Sequence, residues 1–442
     1  MRSPQPNNLN TFLIIWGGQL VSTLGSEMTS FAMTIWAWEL TGKATPLSLI
    51  FFFSRLPRVI AATFAGLLVD RYNRKYLMIM GDTVAGVSTL VIFALLVTGN
   101  LVLWHFYLAI ALSSFFGYFQ TLSYSSSMSA IVPKQHYARA TAMGSIQVFG
   151  ANIFAPALAS LLYYRVGFAG ILILDLITFF LAIISLSIVK IPQPRLNPNE
   201  NENRENLWQR LTMGCRYLFG YPGLIAILIF LLSTNLFGSA STALIATSIL
   251  ARSGNDSNVL ASVQSAMGIG GLVGAALLSL WGGFRPRIYG LLSGVGLQNL
   301  GQIAFGLGRG QSTWTIAAFS AAFFAPWRGS FNQAIWLSKV KPDIQGRVFA
   351  TRYLAAQITS PFGALIAGPL ADRVFEPAMI RGGALAEIFG GIFGTGTGAG
   401  IAVEYTLFSG CGLSLALIGY ALPILRNVEA IVPDYDLEED RS

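Results

Sequence analysis

Glu27, Arg55 and Arg58 lie inside long apolar runs of the chain, where an ionised group costs several kcal/mol unless it is paired or faces water. Counting from residue 12 to Glu27, and back from residue 69 to Arg55, gives about 15 and 14 residues, so at ~1.5 Å per residue both lie roughly 21 to 23 Å from the same surface. A carboxylate and an arginine at matched depth on successive helices can meet. The chemistry open to them is reversible proton binding, Glu27 carrying the proton and Arg55 and Arg58 tuning it as the surroundings open and close. The alternative is a static ion pair that holds two helices together.

A second charged group lies between two apolar runs, in Gly66 to Lys75, GLLVDRYNRK. Gly66, Asp70, Arg71, Arg74 and Lys75 make a short, strongly basic loop of the kind held at the cytoplasmic face of a membrane. Asn73 stands where such a turn asks for positive φ, which Asn tolerates better than other non-glycine residues. Asp82, a little further along, is expected to support this loop electrostatically. Gly144, Ala151, Ala155, Pro156 and Ala159 place small residues on one helical face, with a proline to kink it. Arg328 beside Trp327, with Asn332 one turn on, suits the wall of a cavity, and Gln147, Asn152, Asn235, Gln264 and Gln298 are further candidates to line it. Any one of these amides serves equally as interhelical glue. Asp175 and Glu404 read as solvated groups near an interface.

The elements that must carry these residues follow from composition. Of 442 residues 54% are apolar and 11% charged, with mean hydropathy +0.60, far from the roughly 25% charged of soluble domains. The net charge of +8 is spread over loops, a topology signal rather than a nucleic-acid surface. Windows of about 20 apolar residues give twelve spans, at 12–39, 46–69, 76–98, 102–122, 138–163, 167–190, 223–250, 258–281, 287–307, 313–337, 347–371 and 400–425. The first is too long for a signal-peptide core and is retained. The implied domains are 1–190, a six-helix bundle; 191–222, a polar cytoplasmic linker with an amphipathic helix over Leu207 to Phe219; 223–425, a second six-helix bundle; and 426–442, an acidic cytoplasmic tail. Placing both termini in the cytoplasm leaves only Lys43, Arg165, Arg252, Arg309, Arg373 and Arg381 outside. Cys215 and Cys411 have no partner spacing, no phosphate-binding loop is present, and no cofactor or metal is expected. GPLADR at 368–373 reads as an external helix-ending turn. Residues 382–400 read as an external glycine-rich loop with a short interfacial segment at Ile388 to Phe393.

The spacing Gly66, Asp70, Arg71, Arg74, Lys75 resembles the G-x-x-x-D-R-x-G-R-R/K signature of major facilitator superfamily transporters, with Asn73 in place of glycine. Gly144, Ala151, Ala155, Pro156 and Ala159 resemble the G-x6-G-x3-G-P-x2-G motif of drug-exporting facilitators, with alanine at three glycine positions. The opening FLIIWGGQLVSTLGSEMTSFAMTIWAWELTG is similar to the macrolide-efflux and enterobactin-exporter branch. The arginine that such facilitators often carry in the fourth span is absent, with Ser113 and Ser114 near its place. The resemblance implies an all-α integral membrane protein, twelve transmembrane helices in two six-helix pseudo-symmetric bundles. It also implies proton-coupled efflux of an amphiphilic small molecule of drug, macrolide or siderophore type from a monomer in the plasma membrane. An uptake symporter for a small polar solute, a non-transporting receptor and a lipid-acting membrane enzyme remain open at this stage; His105 and His136 offer the enzyme little.

Overall fold

The computed structural model describes residues 9–189, 191 and 207–435. Helices account for nearly all of this chain: α1 (Leu9–Thr41), α2 (Ala44–Arg71), α3 (Arg74–Val97), α4 (Leu103–Ile131), α5 (Tyr137–Ile188), α6 (Leu207–Gly220), α7 (Pro222–Ser253), α8 (Ser257–Trp281), α9 (Arg287–Leu307), α10 (Gln311–Lys339), α11 (Pro342–Gln357), α12 (Thr359–Leu370), α13 (Glu376–Met379), α14 (Ala386–Phe393), α15 (Ala399–Ala421), α16 (Pro423–Arg426) and α17 (Val428–Ile431). In hydrocarbon every backbone N–H and C=O must find a partner within the protein, and long helices satisfy them locally.

Seven helical segments among the described residues are long and apolar enough to cross a bilayer. One of them, Arg139–Ile188, holds two passes, because α5 breaks at Gly167 (φ 68°, ψ −178°). Its two ends return to the same place: Ala140, Leu186 and Val189 share a core with Phe12, Ile15, Met78 and Ile131. Adding α1, α4, α9 and α10, which are as long but more polar, gives twelve passes. The polar content that lowers their hydropathy includes Gln19, Glu27, Gln120, Gln298 and Arg328. Large apolar side chains exposed on these helices, such as Val97, Ile188, Leu280 and Ile316, are suited to lipid.

The chain divides into two compact units. The first is Met1–Gly42, Leu49–Leu196 and Asp256–Ser265; the second is Lys43–Ser48, Asn197–Asn255 and Ala266–Ser442. Within the first, Gly18 and Gly25 let α1 lie close against the second half of α5: a Cβ at Gly18 would meet the Ser185 side chain, and one at Gly25 the Thr178 and Asp175 side chains. Within the second, Gly270 and Gly274 do the same for α8, where a Cβ would strike the backbone carbonyls of Phe319 and Phe323 on α10. Such spacing of small residues is how membrane helices approach closely. Ile227, Ile288, Leu291, Ile335, Trp336 and Val428 form part of the second unit's core.

Four sequence expectations need correction. α4 runs to Ile131 rather than ending near residue 122, its hydroxyls finding partners inside the helix rather than ending it: Thr121 donates to the Gly117 carbonyl at 2.9 Å, Ser125 to Thr121 at 2.9 Å and Ser127 to Ser123 at 2.7 Å. The last span stops at Ala421, where Leu422 turns extended ahead of Pro423. Asn73 has φ −62°, not a positive φ; it is the N-cap of α3, its side-chain oxygen accepting from the Lys75 N–H at 2.9 Å. GPLADR does not end a helix, since α12 passes through a π-helical turn, Ala371–Phe375, directly into α13.

Candidate functional site

Gln19 is the centre of the first unit's polar interior, 4% exposed on α1. Its amide nitrogen donates to Asp82 Oδ2 on α3 at 2.8 Å, and its amide oxygen accepts from Gln120 Nε2 on α4 at 2.8 Å. Gln147, on α5, donates to Thr23 Oγ1 at 2.9 Å and to the Gln19 carbonyl at 3.4 Å. Four helices are thus joined through one buried side chain and its neighbours. A second knot lies further along α1. Buried Asp175, in the second half of α5, accepts from Ser26 Oγ at 3.2 Å and from Thr89 Oγ1 on α3 at 2.9 Å, so it is a packed acceptor and not a solvated interfacial group.

Thr23, Ser26, Glu27, Ser30 and Thr34 follow helical spacing along α1, with Ser26, Glu27 and Ser30 exposed. Arg55 and Arg58 of α2 are exposed as well. Arg58 lies within electrostatic range of Glu27, and the Arg55 guanidinium lies 4.9 Å from the centre of the Phe51 ring. A carboxylate halfway along a membrane helix cannot face lipid cheaply, so its exposure marks a wetted face of this unit. Such a face can exchange protons with water and keeps a cation within electrostatic range of the carboxylate.

The basic loop works by helix capping. Arg74 Nη1 donates to the Ser126 carbonyl near the end of α4 at 2.7 Å, and Lys75 Nζ donates to the Ser187 and Val189 carbonyls at the end of α5 at 2.9 and 2.7 Å. At the end of α5 the Lys75 cation neutralises carbonyls that have no helical partner of their own, while Arg74 ties α3 to a carbonyl inside the last turns of α4. Gly66 and Arg71 occupy the last turns of α2, and the backbone of Asp70 lies between them. Asp82 is two turns into α3 with Gln19, away from this loop. On α5, Ala151, Ala155, Pro156 and Ala159 are buried and Gly144 is half-buried. The same stretch accepts from Ser265 Oγ at the Ile153 carbonyl, 2.7 Å away, and places Ser160 Oγ 2.9 Å from Ser257 Oγ.

The second unit separates Trp327 from Arg328. The Trp327 ring packs among Trp281, Phe284, Phe324 and Phe331, at centroid distances of 5.5, 6.0, 5.2 and 6.5 Å, and its indole N–H has no partner. Arg328 is half-buried, its backbone against Gly294 of α9. Asn332 accepts from Trp336 Nε1 at 3.0 Å, and Asn235 donates to the Ala356 carbonyl at 2.7 Å, both interhelical or intrahelical braces. Gln264 and Gln298 are half-buried, and Asn152 is exposed. Glu404 is fully buried, contrary to its reading as a solvated group. The sequence reading passed over Gln19, Asp372 and Glu376; the one signal for Gln19 is a lone amide within an apolar run.

The sequence model of the Major Facilitator Superfamily matches residues 15–364. The chain belongs to the major facilitator superfamily. Among curated facilitators it is similar to macrolide efflux protein A of Streptococcus pyogenes, 27% identical over 381 residues that cover 82% of this chain and 90% of that protein. Macrolide efflux protein A of Enterococcus faecalis is 26% identical over 326 residues, 70% of this chain and 95% of that protein. Among solved facilitators the D-xylose-proton symporter superposes with a TM-score of 0.65 at 12% identity, covering 96% of this chain and 97% of that one, a likeness of fold. This facilitator is therefore a multi-pass membrane transporter, not an enzyme, and its substrate is a small molecule.

Proposed function

We propose that the protein exports an amphiphilic small molecule, of drug, macrolide or siderophore type, in exchange for protons by alternating access across the plasma membrane, with both termini in the cytoplasm. The observation that carries this reading is the exposed Glu27 on α1 with Arg58 within electrostatic range of it. The efflux named in relatives at 26 to 27% identity supports the direction. Glu27 takes a proton when its face opens to the acidic side. When the proton leaves, the Arg58 guanidinium stays as the balancing charge, so the empty carboxylate is not stranded. The amide network at Gln19 makes α1, α3, α4 and α5 move as one body, which rocking requires. Arg74 and Lys75 fasten the start of α3 to the ends of α4 and α5, a brace that keeps this body rigid at the end away from Glu27.

The test is uptake of a panel of labelled amphiphiles into everted membrane vesicles under an imposed proton gradient, wild type against Glu27→Gln. Gradient-driven accumulation that the variant loses is the expected result. Equal accumulation in both removes Glu27 as the proton carrier, and no accumulation in wild type for any compound overturns the export reading.

A further inference from the structure

The second unit contains three carboxylates that act on one another: Asp372 in the π-helical turn, Glu376 at the start of α13 and Glu404 on α15. Two of them are fully employed. Asp372 Oδ1 accepts from the Ala44 N–H at 2.8 Å, and its Oδ2 accepts from the Thr45 N–H at 2.8 Å and from Thr45 Oγ1 at 2.6 Å. It thereby caps the first turn of α2, which belongs to this unit. Glu376 Oε1 accepts from the Ile401 N–H at 2.9 Å and Oε2 from the Gly398 N–H at 3.1 Å, capping the start of α15. Each carboxylate sits where a helix presents free N–H groups and about half a positive charge, so both are held by backbone donors.

Glu404 has no such support. Its relative exposure is 0%, and neither carboxylate oxygen has a hydrogen-bond partner. It lies past the free N–H groups of the first turn of α15. The charges acting on it are those of Asp372 and Glu376, both of its own sign. Of the cations nearby, Arg252 of α7 acts on Glu376 and spends its guanidinium on the Gly306 and Gly308 carbonyls at 3.1 and 2.6 Å and on the Trp314 ring, while Arg309, which acts on Arg252, donates to the Gly391 and Ile392 carbonyls. A third carboxylate anion in that place would be buried, unpaired and repelled, and a buried charge without a partner discharges instead. A metal ion is a poor substitute, since the oxygens of Asp372 and Glu376 already face N–H donors, and no trio of His, Cys, Asp or Glu among the described residues is placed to hold one.

We propose that Glu404 is a proton-binding site, and that its proton keeps Asp372 and Glu376 seated on the starts of α2 and α15. Binding adds one proton to one carboxylate oxygen and breaks no other bond. When the proton leaves, three anions share one apolar space. The strain is relieved at Asp372, whose bonds to α2 start from a π-helical turn that departs from the regular ladder as such turns at functional sites do. The first turn of α2 then loses its cap. A proton on α15 is in this way read out as order at the beginning of α2. The role of this coupling in transport rests on the proton-exchange reading above, but its test requires no transport.

The experiment uses full-length protein purified in detergent without substrate. Infrared spectroscopy follows the carbonyl stretch of a protonated carboxylic acid near neutral pH, and hydrogen exchange follows the peptide containing Ala44 and Thr45 over a pH series. Wild type is expected to show a carboxylic-acid band that Glu404→Gln lacks. Protection at Thr45 is expected to fall roughly fivefold to tenfold as pH rises far enough to remove the band, the size of a lost helix cap. Glu404→Gln, permanently neutral, is expected to keep its protection throughout. Identical spectra in the two proteins, or the same pH profile of protection in both, overturns the proposal. Should Glu404→Gln not fold, Glu404→Asp keeps the acid and moves the band, and a band that does not move is equally fatal. If both readouts behave as expected while wild type exports nothing, the proton site stands and the export reading alone fails.

Discussion

Replacing Gln19 by leucine tests whether the buried amide, rather than apolar packing, holds the first unit together. The substitution preserves approximate volume and removes two hydrogen bonds of 2.8 Å, one to the Asp82 carboxylate and one from the Gln120 amide. In water, stranding a buried partner costs about 1 to 3 kcal/mol. The membrane reference state is gentler, because unfolded helices remain in the bilayer and find other partners; there each bond is worth about 0.6 and at most about 1.7 kcal/mol. The Asp82 bond is charge-assisted and belongs at the upper end, so Gln19→Leu is expected to cost about 1.5 to 3 kcal/mol. Reversible unfolding in mixed detergent micelles measures it. The decisive figure is the coupling in a cycle of Gln19→Leu with Asp82→Leu, expected at about 1 to 1.5 kcal/mol, since either change alone already breaks the shared bond. Additivity within about 0.3 kcal/mol would show that the two residues are merely neighbours, and the account of four helices joined through Gln19 would fall with it.

Two further outcomes follow from close packing and buried charge. Gly274→Leu drives a side chain into the Phe323 carbonyl, which is backbone and cannot swing away; the expected loss is about 1 to 3 kcal/mol or more, and Gly410→Leu, with open space beside it, serves as the control in the same unfolding assay. Lys339, with its side chain 3% exposed, pairs with Asp434, 39% exposed, at 2.7 Å. Removing the acid strands a buried ammonium on the Glu429 carbonyl, so Asp434→Asn is expected to cost about 1 to 2 kcal/mol and Lys339→Met less, the reverse of a ranking by burial alone.

The twelve passes were legible because hydrocarbon imposes one rule on every segment, and a run of about 20 apolar residues records it directly. What the hydropathy pattern leaves out is where a polar side chain sends its hydrogen bonds. The serines after Tyr118 look like a helix end until their hydroxyls are seen bonding one turn back. Asn73 looks like a turn residue, and is a cap instead, because its partner two residues on is a backbone N–H that composition does not record. Asp372 and Glu376 were hidden for a related reason: the N–H groups they serve are 327 or 328 and 22 or 25 positions away. Glu404 lies close enough to the start of its span to pass for a wetted end, and only the assembled packing around α15 shows it to be buried. Glu27 and the arginines of α2 stand on their spans as read, and a wetted face is a property of the assembled helices that no single run contains.

The reversal within α5 has a practical side. Gly167 turns the chain back through a backbone conformation, φ 68° and ψ −178°, that is almost closed to any residue bearing a Cβ. Two successive passes therefore meet with no loop between them. Epitope tags, protease sites or reporter fusions placed there to map which side of the membrane it faces are expected to break the hairpin and so report a topology the native chain does not have. The stretch around Gly382, which has open space beside it and lies outside the capping contacts of Glu376, is the place to insert them.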